Sequence, residues 1–391
     1  MTVAMRHGRD LTTVESSAKR RVVALVYWLL FLGPGIALPY LPRWLEHVGW
    51  SPWQIGIAIG VQPIVRWGSA LLFAQLADRF RIRHPLLVVY AAAGACCFVP
   101  LLVVQEFVPA LVVLTAISAL HGPLISAVDA CVLDHLPALG GDYGRLRLWG
   151  SISFIAGALV AALGIELGSP SVVPVMLLPS HLLLPFALAA LPRAQTGHAS
   201  PAGAPWRLVG PRLAVFLVTV LLVHLSCGAW NGFFALHTQR LGFGDWVAGT
   251  ALALAVVLEI AIFRWGRTVL RRLRAERLIL LAVAVTVVRW LATAVADDEA
   301  LVIALQTGHA FTFSAFHLAA MDLVPRLVPP ERSTSGQALY GITGFGIGGS
   351  LGIAMAGLAV EPLGTSGLFL LEAAIAAAAL PVAMRLVRVS R

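Results

Sequence analysis

The chain has 391 residues, 59% hydrophobic and only 12% charged, with 36 glycines and a mean hydropathy of +0.86. Soluble domains carry about 25% charged residues, so an ordinary water-soluble domain is excluded and a membrane protein is indicated. Of the 28 basic residues only Lys19 is a lysine, followed by Arg20, which excludes a GxxxxGK[ST] phosphate loop and a lysine Schiff base within the membrane.

A spanning helix needs about 20 mainly apolar residues. Twelve such runs follow in chain order, near 22–41, 54–76, 85–105, 108–131, 148–167 and 172–191, then near 213–236, 246–265, 278–296, 300–323, 337–360 and 364–384. The first and sixth carry prolines. The spacing predicts an all-α membrane protein of 12 transmembrane helices with short loops and no soluble domain. With the N-terminus placed inside, the inner segments collect 23 basic residues, whereas the outer loops hold only Arg43 and Arg240 beside acids such as Glu46, Asp245 and Glu361. Positive charge concentrates on the cytoplasmic side, so both termini are expected there. The net charge of +9 then reflects topology and contact with anionic lipid, and nucleic acid is not an expected partner. The first apolar stretch is long enough to span and lacks a small-residue cleavage site, so it reads as a helix and not as a signal peptide. Cys96, Cys97, Cys131 and Cys227 lie in or beside helices without CxxC or Cys/His spacing, so neither a disulfide nor a metal site is expected, and no cofactor.

The chain reads as two six-helix lobes, 1–192 and 213–391, joined by a Pro/Gly/Ala-rich linker at 193–212. A shift of 188 residues lays His121 on His309, Ser126 on Ser314, Asp129 on His317 and Asp134 on Asp322. A shift of 193 lays Trp53 on Trp246, Gly56 on Gly249 and Arg66 on Glu259. Repeated halves with matching polar positions imply a cavity where the lobes meet, opened to alternate sides by rocking.

The few polar residues inside helices are the candidate site, because charge in lipid is costly and faces the bundle or water. His121 and Asp129, like His309 and His317, are eight residues apart, which puts each pair on one helix face. They read as substrate hydrogen-bonding and titratable groups, or else as bonds that hold the bundle together. Arg66, Arg289 and Glu259 are mid-helix charges, suited to anion binding and proton carriage or else to a permanent ion pair. Arg264 and Glu372 lie nearer helix ends and are expected to be interfacial. His181 and His224 read as core histidines. The Gly-rich run 341–357 permits close backbone approach.

These residues are joined by longer motifs. Ala74-Gln-Leu-Ala-Asp78-Arg79-Phe-Arg81 resembles the GxLaDrxGrk gate motif of the major facilitator superfamily, with Ala74 and Arg81 where glycines are usual. The run from Gly140 to Leu159, GGDYGRLRLWGSISFIAGAL, is similar to the helix 4–5 junction of that superfamily's phenylpropionate-permease and lactose-permease-like branch. EIAIFRW, VVRWL and HAFTFSAFHLAAM extend the likeness into the second half.

The resemblance implies the 6+6 pseudo-symmetric fold, substrate contacts at Asp129 and Arg147, and counterparts of the permease's glutamate, arginine and histidine at Glu259, Arg289 and His309. It places gating residues at Asp78, Arg79, Asp142 and Arg145. Two positions depart from it: Thr312 stands where the permease carries its proton-carrying glutamate, and Phe154 replaces the stacking tryptophan. Sugar specificity is thereby weakened, and coupling would fall to Glu259, Asp129 or a histidine such as His317.

The expected function is secondary active transport of a small organic solute by alternating access, as a proton symporter; an enzyme is not expected, since no paired-Asp or HExxH motif lies in the helices. Asp129, Arg147, Arg66, Arg289, His309, His121 and Phe154 would contact the solute, and Glu259, His317 and Asp129 would handle the proton. Arginines suit a carboxylate, and the resemblance to the phenylpropionate-permease branch implies an aromatic one. Sugars or nucleosides are the alternative, and export of drugs or metabolites a further one, against which stands the lack of the antiporters' Pro-containing glycine motif in helix 5. A transporter-like sensor is the reading from another class. The expected setting is the inner cell membrane, as a monomer.

Overall fold

The computed structural model describes residues 2–139, 142–191 and 208–389, with side chains from Ser17 onward apart from a few positions. Among these residues the secondary structure is helical throughout. The helices are α1 (Thr2–His47), α2 (Pro52–Phe80), α3 (Arg83–Phe98), α4 (Phe107–His121), α5 (Leu124–Asp134), α6 (Tyr143–Leu167) and α7 (Val172–Ala189). They continue with α8 (Pro211–Leu225), α9 (Gly228–Arg240), α10 (Asp245–Arg272), α11 (Ala275–Val295), α12 (Glu299–Leu305), α13 (Phe316–Leu327), α14 (Ser333–Gly341) and α15 (Gly349–Val389). Most of the linker, 193–207, lies outside the described residues.

Ten stretches are long and apolar enough to cross a membrane. One of them, Pro330–Arg388, has 59 residues, well over twice the roughly 20 that a bilayer requires. It bends at Gly364, whose φ of 68° lies in the left-handed region that glycine enters without steric cost. Glu299–Leu327 is divided instead: α12 gives way to a tighter turn and then to a π-helical turn, Ala310–Ala315, before α13. Large apolar side chains remain exposed along the helices, including Leu167 at 81%, Phe186 at 76% and Val295 at 75%. Such surface is costly in water and neutral in hydrocarbon.

Two compact units emerge. The first takes the described residues of 1–37, 68–157 and 173–199; the second takes those of 38–67, 158–172 and 200–391. The first is centred on Val23, Tyr27, Phe73, Leu87, Leu124 and Leu184. The second is centred on Phe216, Ile279, Phe316, Leu323 and Tyr340.

The ends of α1, α2 and α6 thus join the second unit, and the contacts there say why. Arg43 Nε donates to Asp245 Oδ1 (3.2 Å), Tyr40 Oη donates to the Asp245 carbonyl (2.8 Å), and Arg240 pairs with Glu46 (3.6 Å). The only two basic residues of the expected outer loops are therefore both ion-paired with loop acids. On the neighbouring helices, Gly56 of α2 meets Gly357 of α15 so closely that a Cβ on Gly56 would lie 2.7 Å from the Gly357 Cα.

Candidate functional site

In the first unit the polar centre is built on α1, α5 and α6. Asp129 accepts a hydrogen bond from Tyr27 Oη at 2.6 Å, a contact across 102 residues of sequence. Arg147 Nε stands 3.8 Å from the same carboxylate oxygen. The guanidinium lies over the Phe31 ring at 3.9 Å and near the Tyr27 ring at 5.4 Å, and Tyr143 turns a further hydroxyl toward Asp129. Arg147 and Asp129 keep 28% and 26% of their side-chain surface exposed. An arginine held by aromatic faces and one loose ion pair can exchange that pair for a ligand carboxylate. The Tyr27→Phe variant, which keeps the ring beneath Arg147 and removes only the hydroxyl, is expected to weaken ligand binding by roughly tenfold, the worth of one hydrogen bond to a charged group. Titration of purified wild type and variant with ligand checks it.

The second unit builds its centre on α9, α10, α11 and the irregular segment before α13. Arg289 is 3% exposed. It donates from Nε and Nη2 to Gln306 Oε1 (3.2 and 2.5 Å) and from Nη1 to Thr312 Oγ1 (2.7 Å). Its Cζ lies 4.5 Å from the Trp230 ring centre and 4.3 Å from that of Trp290. His309 Nδ1 is 3.3 Å from Arg289 Nη1, and His309 Nε2 is 2.8 Å from Glu259 Oε1. One imidazole therefore stands between a buried guanidinium and a carboxylate. Among the described residues no carboxylate lies within ion-pair distance of Arg289, and its acceptors are neutral.

The π-helical turn has a local consequence. His309, Phe313 and His317 stack as three nearly parallel rings, at centroid distances of 5.5 and 6.0 Å, while His317 Nδ1 meets Tyr340 Oη at 2.8 Å. Widened turns of this kind often occur at functional positions in helices.

Other expected residues lie elsewhere. The helix that was to carry both His121 and Asp129 on one face is interrupted at Gly122–Pro123, between α4 and α5. His121 packs edge-on against His181 at 4.6 Å. Arg66 is exposed on α2, and Phe154 is half-buried on α6. In the gate-like loop Arg83 donates to Asp78 at 3.1 Å and approaches Asp134 to 4.0 Å, while Arg79 lies over Phe80. Arg81, where the superfamily's motif usually has glycine, adopts a positive φ of 54°, a conformation costly for a side chain with a Cβ. Asp142 accepts the Arg145 backbone N–H at 3.0 Å and stands at the start of α6, a local helix-end contact. Glu372 differs from the interfacial position expected of it: it is 1% exposed and accepts the Ala229 N–H at the start of α9. The break between α8 and α9 and the packing of α15 across it bring this acid inside. His181 and His224 bond carbonyls of their own helices, Leu177 and Val220, at 2.9 Å.

Tyr27, Trp230 and Gln306 are uncharged, and nothing in the sequence singles them out. Only their packing against a charged neighbour reveals them.

This architecture is that of known membrane transporters. The chain superposes on the nucleoside transporter NupG with a TM-score of 0.82 at 17% identity, covering 94% of this chain and 98% of that one. It also superposes on a bacterial homologue of the human lysosomal transporter Spinster, inward-facing and unoccupied, with a TM-score of 0.75 at 12% identity, covering 95% and 97%. At such identities the likeness concerns the fold alone.

The chain belongs to the MFS_1-like family, whose profile it matches over residues 21–371. It is 27% identical over 368 residues to a probable 3-phenylpropionic acid transporter of Escherichia coli K12, covering 91% of this chain and 95% of that protein. It is 26% identical to the maltose permease of Geobacillus stearothermophilus, covering 85% and 86%. The protein is a multi-pass membrane transporter and not an enzyme.

Proposed function

We propose that the protein is a proton-coupled symporter of a small organic anion, with an aromatic carboxylate as the favoured substrate. The observation that carries this reading is Arg289: a buried guanidinium against two tryptophan rings, with neutral hydrogen-bond acceptors and an imidazole–carboxylate pair beside it. Among the described residues Arg289 makes no direct ion pair, although Glu372 attracts it from farther off, and a carboxylate ligand would supply the direct pair that a buried charge favours. Arg147, on Phe31 and beside Asp129, offers the same chemistry in the first unit. Similarity to the phenylpropionic acid transporter supports the substrate class.

Coupling follows from electrostatics. A proton on the Glu259–His309 pair removes a negative charge one ring away from Arg289, so the guanidinium attracts an anion more strongly. For charges roughly 7 Å apart and an effective permittivity of about 20, the interaction is about 2 kcal/mol. Linkage makes the effect reciprocal: the bound anion favours the bound proton to the same degree. Twelve spans, lobes at 1–192 and 213–391 and a linker at 193–212 complete the reading. So do a monomer in the inner membrane, both termini cytoplasmic as the arginine distribution indicates, and alternating access.

Glu259→Gln is the direct test. In proteoliposomes with an imposed proton gradient, the variant should lose concentrative uptake and retain solute exchange. Proton-driven accumulation at the wild-type level would remove Glu259 from this role. A polyhydroxylated solute is the second reading, favoured by the neutral Gln306 and Thr312 at Arg289 and by similarity to the maltose permease. Thermal stabilisation of the purified protein by aromatic acids, against maltose and nucleosides, separates the two.

A further inference from the structure

Where α8 and α11 begin and α13 and α15 approach their ends, a cavity of about 440 Å³ opens in the second unit. Four arginines line it: Arg212 of α8, Arg274 just before α11, Arg326 of α13 and Arg385 of α15. Arg326 is already engaged. It lies 3.9 Å from Glu276, the carboxylate in the lining, and also bonds Asp322. Even with both acids counted, positive charge predominates around the space. Like charges gathered from separate helices repel one another unless an anion lies among them.

A second, independent feature points the same way. Pro211 and Arg212 are the first residues of α8, and Arg274 is the residue that caps α11. Neither Gly210, which caps α8, nor Arg274 supplies a side-chain acceptor to the first turn behind it. The leading amides of a helix lack intrahelical acceptors and carry the positive end of its dipole, and they commonly bind phosphate. Two such helix starts converge on the arginine-lined cavity. Leu323 and Leu327 form an apolar flank to it. None of these residues belongs to the Arg289 or Arg147 clusters.

We propose that this cavity binds a phosphate-bearing anion, held by Arg274, Arg326 and Arg385 together with the starts of α8 and α11. The phosphate is carried either by the headgroup of an anionic phospholipid or by a free phosphate in the aqueous phase. Basic pockets between spanning helices recognise lipid headgroups by the same chemistry, and the apolar flank suits the glycerol and upper acyl chain.

The test uses the full-length protein and a paired Arg274→Gln/Arg385→Gln variant. Both side chains are exposed, so their replacement leaves the packing in place, and gel-filtration profiles verify this. Native mass spectrometry after incubation with phosphatidylglycerol, cardiolipin or phosphatidylethanolamine reads the lipid arm. Thermal melting in inorganic phosphate, against chloride of equal ionic strength, reads the soluble arm. Lipid as the source predicts selective retention of the anionic lipids by the wild type, reduced roughly tenfold or more in the variant. Soluble phosphate as the source predicts phosphate stabilisation of the wild type alone. Paired lysine substitutions should restore part of either effect. Equal anionic-lipid retention in wild type and variant, with no phosphate-specific shift in melting, overturns the proposal. If the paired variant does not survive purification, Arg385→Gln alone is read by the same criteria.

Discussion

Arg289→Gln should lower the specificity constant for solute uptake by roughly 100-fold to 1,000-fold, the cost of removing a buried charge on which an anionic ligand depends. Initial rates of labelled-solute uptake in proteoliposomes measure it. Glutamine retains some bonding to Gln306 and Thr312 but not the charge. Arg289→Lys keeps a charge and forfeits the flat fork that reaches both acceptors and lies against two indoles, so an intermediate loss is expected. The comparison of the two distinguishes a need for charge from a need for shape. Because Arg289 is 3% exposed, melting temperatures of both variants must be read alongside. Wild-type uptake by Arg289→Gln would refute the role of this residue in binding, and with it the main support for an anionic substrate.

The second large effect is mechanical. A Cβ on Gly357 would stand 2.6 Å from the Gly56 Cα, so α2 and α15 meet here backbone to backbone. Gly357→Trp cannot coexist with that contact. The variant is expected to hold the two helices apart at this end and to reduce transport by at least about tenfold, because a state that cannot form must be visited in every cycle. Spin labels at His47 and Leu241, near the Arg240–Glu46 pair, report the opening. A longer distance distribution in the variant supports the expectation; an unchanged distribution with normal transport contradicts it. The contrast with Glu259→Gln is informative. The carboxylate variant should still exchange solute because its helices can move, whereas the wedged variant should do neither.

The candidate site was legible in the sequence to the extent that it is charged. Asp129, Glu259, Arg289 and His309 stand out because an ionisable group in an apolar run demands a reason, whereas Arg147 was indicated only by the family resemblance. Their partners did not stand out. Tyr27 donates to Asp129, Gln306 receives Arg289 and Trp230 lies beneath it, yet a tyrosine, glutamine or tryptophan in a membrane helix is unremarkable by itself. Helical periodicity also has a limited range. His309, Phe313 and His317 stack in file across a π-helical turn that regular helical spacing does not foresee. His121 and Asp129 lie on either side of the short break at Gly122–Pro123, and their neighbours differ: His181 for the first and Tyr27 with Arg147 for the second.

Composition and local pattern determined the membrane class and the identity of the scarce charged residues, because the cost of putting charge in hydrocarbon acts on each residue wherever it is. The superfamily, too, was legible in the motifs at Asp78 and Gly140–Leu159. Only the tertiary structure decided what each charge faces. Glu372, near the expected end of a span, became the most enclosed acid of the second unit by receiving the Ala229 N–H from a broken helix. Likewise Arg43 found Asp245 and Glu259 found His309. Such choices depend on which helix surfaces pack together across many residues, and short-range sequence pattern carries no information about that packing.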